Sequence, residues 1–377
     1  MKRAALLVAF ATLLVLLVQC APGPAPAPAQ TSPAAPAKAA WQAEWDNAVQ
    51  AARTEGKVVI YGNLNADEKD NVAKLMQSKY GVTIELLTGK AAEIAQKTIA
   101  ERNAGVYIPD INMSGVQGSV LLLKPSGATD TLDKTIILPE VLDTSVWLGN
   151  RLGWTDNEHT QIQFIAEVFP GITVNTQMVG ANDIKVYKDL LDPKWKGKLV
   201  MSDPTTPGAG SDWFSKMAIA LGPDYMRALA KQEPLLSRDD RLSVEWVARG
   251  KYPIGVALQS AQIWKFIGEG APINVVEAEV SSLSPQHGCV TLMKNAPHPN
   301  AARVFINWLL TKEGQTAFVQ GALAPSRRLD VPTTGVSAAA IPKPGKKYME
   351  DDTNTLAQRN QMAALAKDVF ASLLQAQ

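Results

Sequence analysis

The chain has 377 residues, 46% of them hydrophobic and 19% charged, with 37 basic side chains against 36 acidic ones. That balance gives no electrostatic case for a nucleic-acid binder, and a mean hydropathy of -0.05 excludes a polytopic membrane protein and a disordered chain. Two cysteines and three histidines are too few for a disulfide scaffold, an iron–sulfur site or a His-rich metal centre.

Met1-Lys2-Arg3 is a basic start, followed by an apolar run at 4–18. The run is short for a membrane span of roughly 20 residues but suits the core of a signal peptide. It ends in Leu17-Val18-Gln19-Cys20, which resembles the lipobox of bacterial lipoproteins. There the cysteine thiol is acylated and becomes the new N-terminus; Gln19 stands where that pattern prefers a small residue. An ordinary secretory signal with an incidental Cys20 is the alternative. Residues 1–19 are therefore expected to be a signal peptide, and 20–40 a lipidated cysteine with a tether. Six prolines among alanines make that tether polyproline-like, with a reach of up to about 60 Å. Cys289, in the strand-like run Cys289-Val290-Thr291-Leu292, is expected to be a buried small hydrophobe.

The body begins near Trp41. The run Lys57-Val58-Val59-Ile60-Tyr61 predicts a strand, and Asn65 with Glu68 has the form of a capping box opening a helix with Val72, Leu75 and Met76 on one face. A strand at 82–86, a helix at 91–103 and a strand at 110–113, ending in Ser114-Gly115, continue the alternation. Strand–helix–strand order implies parallel strands with helical crossovers, an α/β unit. A second unit opens with a strand at 198–201, a turn-rich loop at 203–210 and a helix from about Ser211 carrying Trp213, Met217 and Leu221 inward. A further helix ends near Gly250, and 254–258 reads as a buried strand. Residues 161–169 are placed to cross between the units and 273–280 to return. A helix from Asn300, with Val304, Phe305, Trp308 and Leu309 inward, and a terminal helix at 351–374 complete the chain. No short repeat is present.

Four stretches, in order, carry a family likeness: 58–65; 189–210, beginning Asp189-Leu190-Leu191-Asp192-Pro193-Lys194-Trp195; 295–303 with 308–314; and Pro325-Ser326-Arg327 before Asp330-Val331. Together they resemble the extracellular solute-binding proteins of ABC importers. The group is the two-lobed type 2 branch that handles ferric iron, thiamine, polyamines and organophosphorus solutes. The resemblance implies two α/β lobes joined by a two-strand hinge, with lobe one at 41–165 and 281–377 and lobe two at 166–280. It implies a monomeric, membrane-anchored extracytoplasmic receptor, not an enzyme and without a cofactor. Such a receptor captures a small organic solute and delivers it to an ABC permease and its ATPase. A ferric iron binder of the same group and a receptor feeding a sensor kinase are the alternatives.

Ligands of open α/β sheets bind beyond the carboxyl ends of strands, which selects loops. In lobe one these offer Asn63, Asn65, Lys90 and Ser114, near helix starts whose free N–H groups favour an anion. Each has a plain alternative: Asn65 and Ser114 as caps, Lys90 as a solvated charge. In lobe two, Thr205, Thr206, Gly208 and Ser211 combine hydroxyls with small residues that let a ligand approach the backbone; a capping turn is the alternative. Gln259 and Ser260 follow the 254–258 strand, where ferric binders of the group usually carry two adjacent tyrosines. Arg327 is either a clamp for a carboxylate or phosphate or an ion pair fixing the chain. Trp213 could stack on a ligand, but its spacing suits a core. His159 and His287 show no ligand spacing, His298 lies between prolines in a turn, and Asp239-Asp240 reads as a solvated helix start. The motifs of serine hydrolases and HExxH metalloproteases are missing. The sequence thus favours a small organic anion, held by Lys90, Arg327 and the 205–211 loop.

Overall fold

The computed structural model describes residues 39–285 and 288–375. The expected signal peptide, Cys20, His287 and all but the end of the expected tether lie outside those residues. In chain order the elements are α1 (Ala40–Glu55), β1 (Lys57–Gly62), α2 (Ala66–Tyr80), β2 (Thr83–Thr88), α3 (Ala91–Asn103), β3 (Ile111–Met113), α4 (Val116–Gly118), α5 (Pro139–Leu142), β4 (Ile162–Gln163), β5 (Glu167–Val168), β6 (Ile172–Asn175) and β7 (Leu199–Ser202). They continue as α6 (Ala209–Leu221), α7 (Pro223–Ala230), β8 (Leu235–Ser237), α8 (Asp240–Ala248), β9 (Ile254–Val256), α9 (Ser260–Gly268), β10 (Ile273–Val276), β11 (Leu283–Ser284), β12 (Cys289–Leu292), α10 (Pro299–Leu309), α11 (Lys312–Ala322) and α12 (Thr353–Gln375). Among the described residues no helix is long and apolar enough to cross a membrane.

β1 forms where the sequence runs apolar without interruption, and Val58, Val59, Ile60 and Tyr61 are all buried. It pairs in parallel with β2 and β3, the helical crossovers α2 and α3 making this possible. Antiparallel β12 and β4 extend the sheet to the order β2-β1-β3-β12-β4. The expected capping box is present: Asn65 Oδ1 accepts from Glu68 N at 2.8 Å, and Asn65 N–H donates to Glu68 Oε2 at 2.7 Å. Asp110, fully buried, accepts from Val59 N and His298 N, each at 2.7 Å, and so pins the start of α10 to this sheet.

The second sheet has the order β10-β6-β9-β7-β8, with β7 parallel to β8 and β9 and with β6 antiparallel to β9 and β10. Its core holds Trp195, Phe214 and Met217, with Trp213 buried to 1% and donating from Nε1 to Tyr187 Oη at 3.2 Å. Trp213 is thus a core residue. A small antiparallel pair, β5 with β11, joins the two lobes. The α/β class and the two lobes expected from the sequence are what the structure shows.

Two expectations need correction. The return between the lobes runs through β11 and not through 273–280, because β10 is fully used as the edge strand beside β6. The C-terminal helix packs on the second lobe, not the first. Met362, Ala366 and Phe370, spaced at i, i+4 and i+8, form an apolar stripe on α12 that joins the second core. Phe370 meets Phe214 edge-on at 6.0 Å between ring centroids. The stripe was visible in the sequence, but periodicity does not say which core will receive it.

Phe370→Ala should lower the unfolding free energy by ~3–5 kcal/mol, the usual cost of emptying a buried aromatic site. Denaturant titration measures this, and a loss below about 1 kcal/mol would mean that α12 does not depend on the second core.

Candidate functional site

A cleft of about 720 Å³ lies between the carboxyl ends of the strands of the two lobes. The first lobe contributes Asn63 after β1, then Lys90 to Glu93 at the start of α3, and Gly115 to Gln117 at the start of α4. The second contributes Ser202 and Asp203 after β7, then Thr206 to Gly210 leading into α6, and Gln259 and Ser260 after β9. Residues from the hinge and C-terminal region, among them Ser284, Asp351 and Arg359, also line it.

Two of these helix starts leave their first N–H groups available. Lys90 caps α3 and Gly208 caps α6 with the backbone alone, neither offering a side-chain acceptor to the first turn. The α9 start differs, because Gln259 Oε1 accepts from Gln262 N at 2.9 Å. Two shielded polar atoms of the cleft-lining residues find no partner among the described residues: Asn63 Oδ1 on one lobe and Ser202 Oγ on the other. Such atoms are costly to leave unbonded unless something else satisfies them.

Glycine serves α6 in two ways. Gly208 has φ 155°, a region side chains rarely adopt. A Cβ on Gly210 would lie 2.3 Å from Ser202 O and 2.7 Å from Asp203 O. The small residues here therefore let α6 seat directly on the end of β7, where sequence reasoning had them admitting a ligand.

Of the residues singled out from the sequence, Asn63, Lys90, Thr206, Gly208, Gln259 and Ser260 line the cleft together. The other five do not. Asn65 is occupied by its capping box, and Ser114, fully buried, donates from Oγ to Asn112 Oδ1 at 2.5 Å. Thr205 donates from N and Oγ1 to Asp203 Oδ1 at 2.8 and 2.6 Å, and Ser211 bonds back to Gly208. Arg327, 1% exposed, pairs with Glu350 at 2.7 Å, which is the ion-pair alternative. Ser260 also has a structural bond, from Oγ to Glu167 Oε2 on β5 at 2.7 Å.

The structure adds residues that sequence reasoning missed. Arg238 pairs with Asp203 at 2.8 Å at the second-lobe wall, and Asp240 lies nearby. Crowding in the cleft and the adjacent Asp239 push the Asp240 carboxyl up. Asp239 caps α8, accepting from Leu242 N at 2.9 Å, and both acids are exposed at the helix start, as expected from the sequence. At the base of the cleft, Asp212 and Asp351 alternate with Lys216 and Arg359 in a closed ring. Lys216 reaches Asp212 at 2.8 Å and Asp351 at 3.1 Å; Arg359 reaches the same two at 2.8 and 3.1 Å. Only the i, i+4 spacing of Asp212 and Lys216 was a signal for this in the sequence. Burial alone would raise Asp212, but the two cations outweigh it and hold the carboxyl down to about 2.

Burial likewise pushes the Cys289 thiol up, consistent with its core position. His159 stacks on Trp154 at 4.3 Å, and His298 Nδ1 lies 2.9 Å from Asp110 Oδ2; neither lines the cleft.

Two α/β lobes with strand ends facing one another across a polar cleft, joined by a short strand pair, define a hinged ligand receptor of the periplasmic binding protein type. Residues 57–321 match the family described as bacterial extracellular solute-binding proteins, and the chain belongs to that family. It is 24% identical over 291 residues to an uncharacterized protein of Haemophilus influenzae, covering 72% of this chain and 78% of that protein. Its fold is similar to that of the periplasmic binding protein AfuA from Actinobacillus pleuropneumoniae, solved with fructose-6-phosphate, with a TM-score of 0.65 and 20% identity over 85% of this chain and 99% of the other. Iron-bound HitA from Pseudomonas aeruginosa is similar at a TM-score of 0.62 and 18% identity over 83% of this chain and 99% of that one. FutA from Trichodesmium, with iron and citrate, has a TM-score of 0.65 and 18% identity over 84% of this chain and 99% of its own. The family's members are type 2 solute-binding proteins of ABC-type importers, extracytoplasmic and binding proteins rather than enzymes.

Because Asp212 titrates lower when folded than when unfolded, at about 3.9, it adds stability above that pH and loses it as pH falls toward 2. Thermal melts from pH 5 to pH 2 should fall steeply for the native chain and less steeply for Asp212→Asn, which starts lower at pH 7. Parallel slopes for the two proteins would remove Asp212 from the acid response.

Proposed function

We propose that this chain is the receptor of an ABC importer for a small organic anion, which it holds between its lobes and delivers to a membrane permease. The observation that carries the reading is the facing of two open helix starts, α3 and α6, across one cleft. Their N–H groups and positive dipole ends favour a carboxylate or phosphate, and Lys90 adds a formal charge. The unpartnered Asn63 Oδ1 and Ser202 Oγ supply acceptor and donor groups for the rest of the solute. Arg327, paired with Glu350 outside the cleft, no longer supports the reading. Hinge closure, as in other two-lobed receptors, would bring both walls onto the solute.

Ferric iron is the second reading, favoured by the iron held in HitA and FutA. Against it, the cleft lining among the described residues holds no tyrosine, histidine or cysteine, so carboxylates and neutral oxygens are what those residues offer a hard cation. The candidate ligand contacts in the anion reading are Asn63, Lys90, Thr206, Gly208, Gln259 and Ser260, with the lobes divided near 165 and 281 and α12 returning to the second lobe. The N-terminal motif supports a lipid-anchored receptor, and we propose that it acts as a monomer.

Calorimetry with citrate, glucose 6-phosphate, spermidine and ferric chloride separates these readings. Binding of an organic anion that weakens about tenfold in Lys90→Gln is expected. Tight binding of spermidine alone would remove the anion reading, and a new visible absorbance with ferric chloride alone would establish the iron reading. For the anchor, Cys20→Ala should abolish incorporation of radiolabelled palmitate in a bacterial host; equal labelling of both chains would refute lipidation at Cys20.

A further inference from the structure

The hinge has a third pass of chain, bridged to it at Met349, that lies beyond the family match at 57–321. Met349 runs beside β11: Leu283 N–H donates to Met349 O at 2.8 Å, and Met349 N–H donates to Ser281 O at 2.9 Å. Ser282 and Met349 form a parallel bridge, and β11 in turn pairs with β5. The chain therefore passes between the lobes three times, the last time on its way to α12.

The two residues that follow point their charges to opposite lobes. Glu350 pairs with Arg327 at 2.7 Å and with Arg151 at 3.2 Å. Arg327 belongs to the first lobe, its N–H donating to Phe164 O at 2.8 Å beside β4. Asp351 pairs with Lys216 on α6 and Arg359 on α12, both in the second lobe, and Lys216 also donates to Leu283 O of β11 at 3.1 Å. Arg327, Lys216 and Asp351 are almost wholly buried, so their pairs are little screened by solvent. Adjacent residues of one segment thus clamp a different lobe each, across the strand pair about which the lobes would move.

We infer that Glu350 and Asp351 are positioning residues of the solute site: by gripping opposite lobes from a third hinge segment, they set the balance between open and closed forms of the cleft. The inference rests on the cleft being the solute site but not on the nature of the solute. Bending at the hinge must move Glu350 relative to Arg327 or Asp351 relative to the ring, and either motion separates a buried charge pair. The pairs oppose arrangements that lengthen them. Asp351 is also among the residues that line the cleft, so the clamp adjoins the solute site.

The test uses the full chain without added solute, as Glu350→Gln and Asp351→Asn, each checked for fold by circular dichroism. Hydrogen exchange read by mass spectrometry should accelerate more than tenfold at Leu283 and Met349, with β1 and β9 unchanged. Small-angle scattering should show a changed radius of gyration in the same variants, and Glu350→Asp should restore part of both. Exchange that is unchanged, or faster throughout the chain, would overturn the inference, since the residues would then be inert or merely structural. Faster hinge exchange at an unchanged radius of gyration would overturn it as well. Should Asp351→Asn fail to fold, Glu350→Gln alone decides, its carboxylate being the more solvent-accessible of the two. Neither readout needs a ligand, so failure of the anion reading in calorimetry is distinguished from failure of the clamp.

Discussion

Buried charge must be paired, and in this protein that constraint decides where the C-terminus goes. Lys216 is fully buried on α6, and no local residue other than Asp212 compensates it. Asp351 and Arg359 complete the set, so that each acid meets both bases and each base both acids. Removing one member of such a set leaves an uncompensated charge, typically at a cost of about 3–5 kcal/mol. The ring needs the segment before α12 and the helix itself to lie against the second lobe. The apolar stripe of Met362, Ala366 and Phe370 then follows that placement into the core.

From the ring outward the architecture follows a single logic. Asp212 stands in the first turn of α6, and the start of α6 is seated against the end of β7 because Gly210 leaves no Cβ between them. That seating aims the open end of α6 at the cleft. On the opposite wall, β1 and β3 lead into Asn63 and Gly115, and the crossover order puts the start of α3 beside them. Glu167 joins the hinge to the binding wall, taking hydrogen bonds from Ser260 and Trp264 of α9 on the strand that leads between the lobes. Hinge and cleft therefore share side chains.

Much of this was legible in the sequence, and the limits have physical causes. Local signals carried through: the Asn65–Glu68 box, the apolar run of β1, and the strand–helix order that makes the sheet parallel. Six of the eleven candidate contacts line the cleft because strand ends in α/β lobes face it by topology. The other five were polar groups whose needs are met nearby, as Thr205 is by Asp203 and Ser114 by Asn112. A sequence shows that a hydroxyl is present but not whether a neighbour already holds it. Arg359 and Asp351 escaped notice for the opposite reason. Their partners are more than a hundred residues away on α6, and no periodicity links such positions.

The charge of the cleft follows the same lesson. Five acids and three bases line it, which by formal count opposes an anion. Asp203 is held by Arg238, however, and Asp212 and Asp351 belong to a ring that is neutral as a whole. Paired charges at hydrogen-bond distance largely cancel beyond a few ångströms, and what a solute meets is the field of the remaining groups. Those are Lys90, Glu93 and Asp240, whose carboxyl is pushed up by burial and by the adjacent Asp239, together with the open N–H groups of α3 and α6. Near-neutral composition and a nominally acidic cleft are thus both compatible with an anion site, because local geometry, not the count of charges, sets the field at its centre.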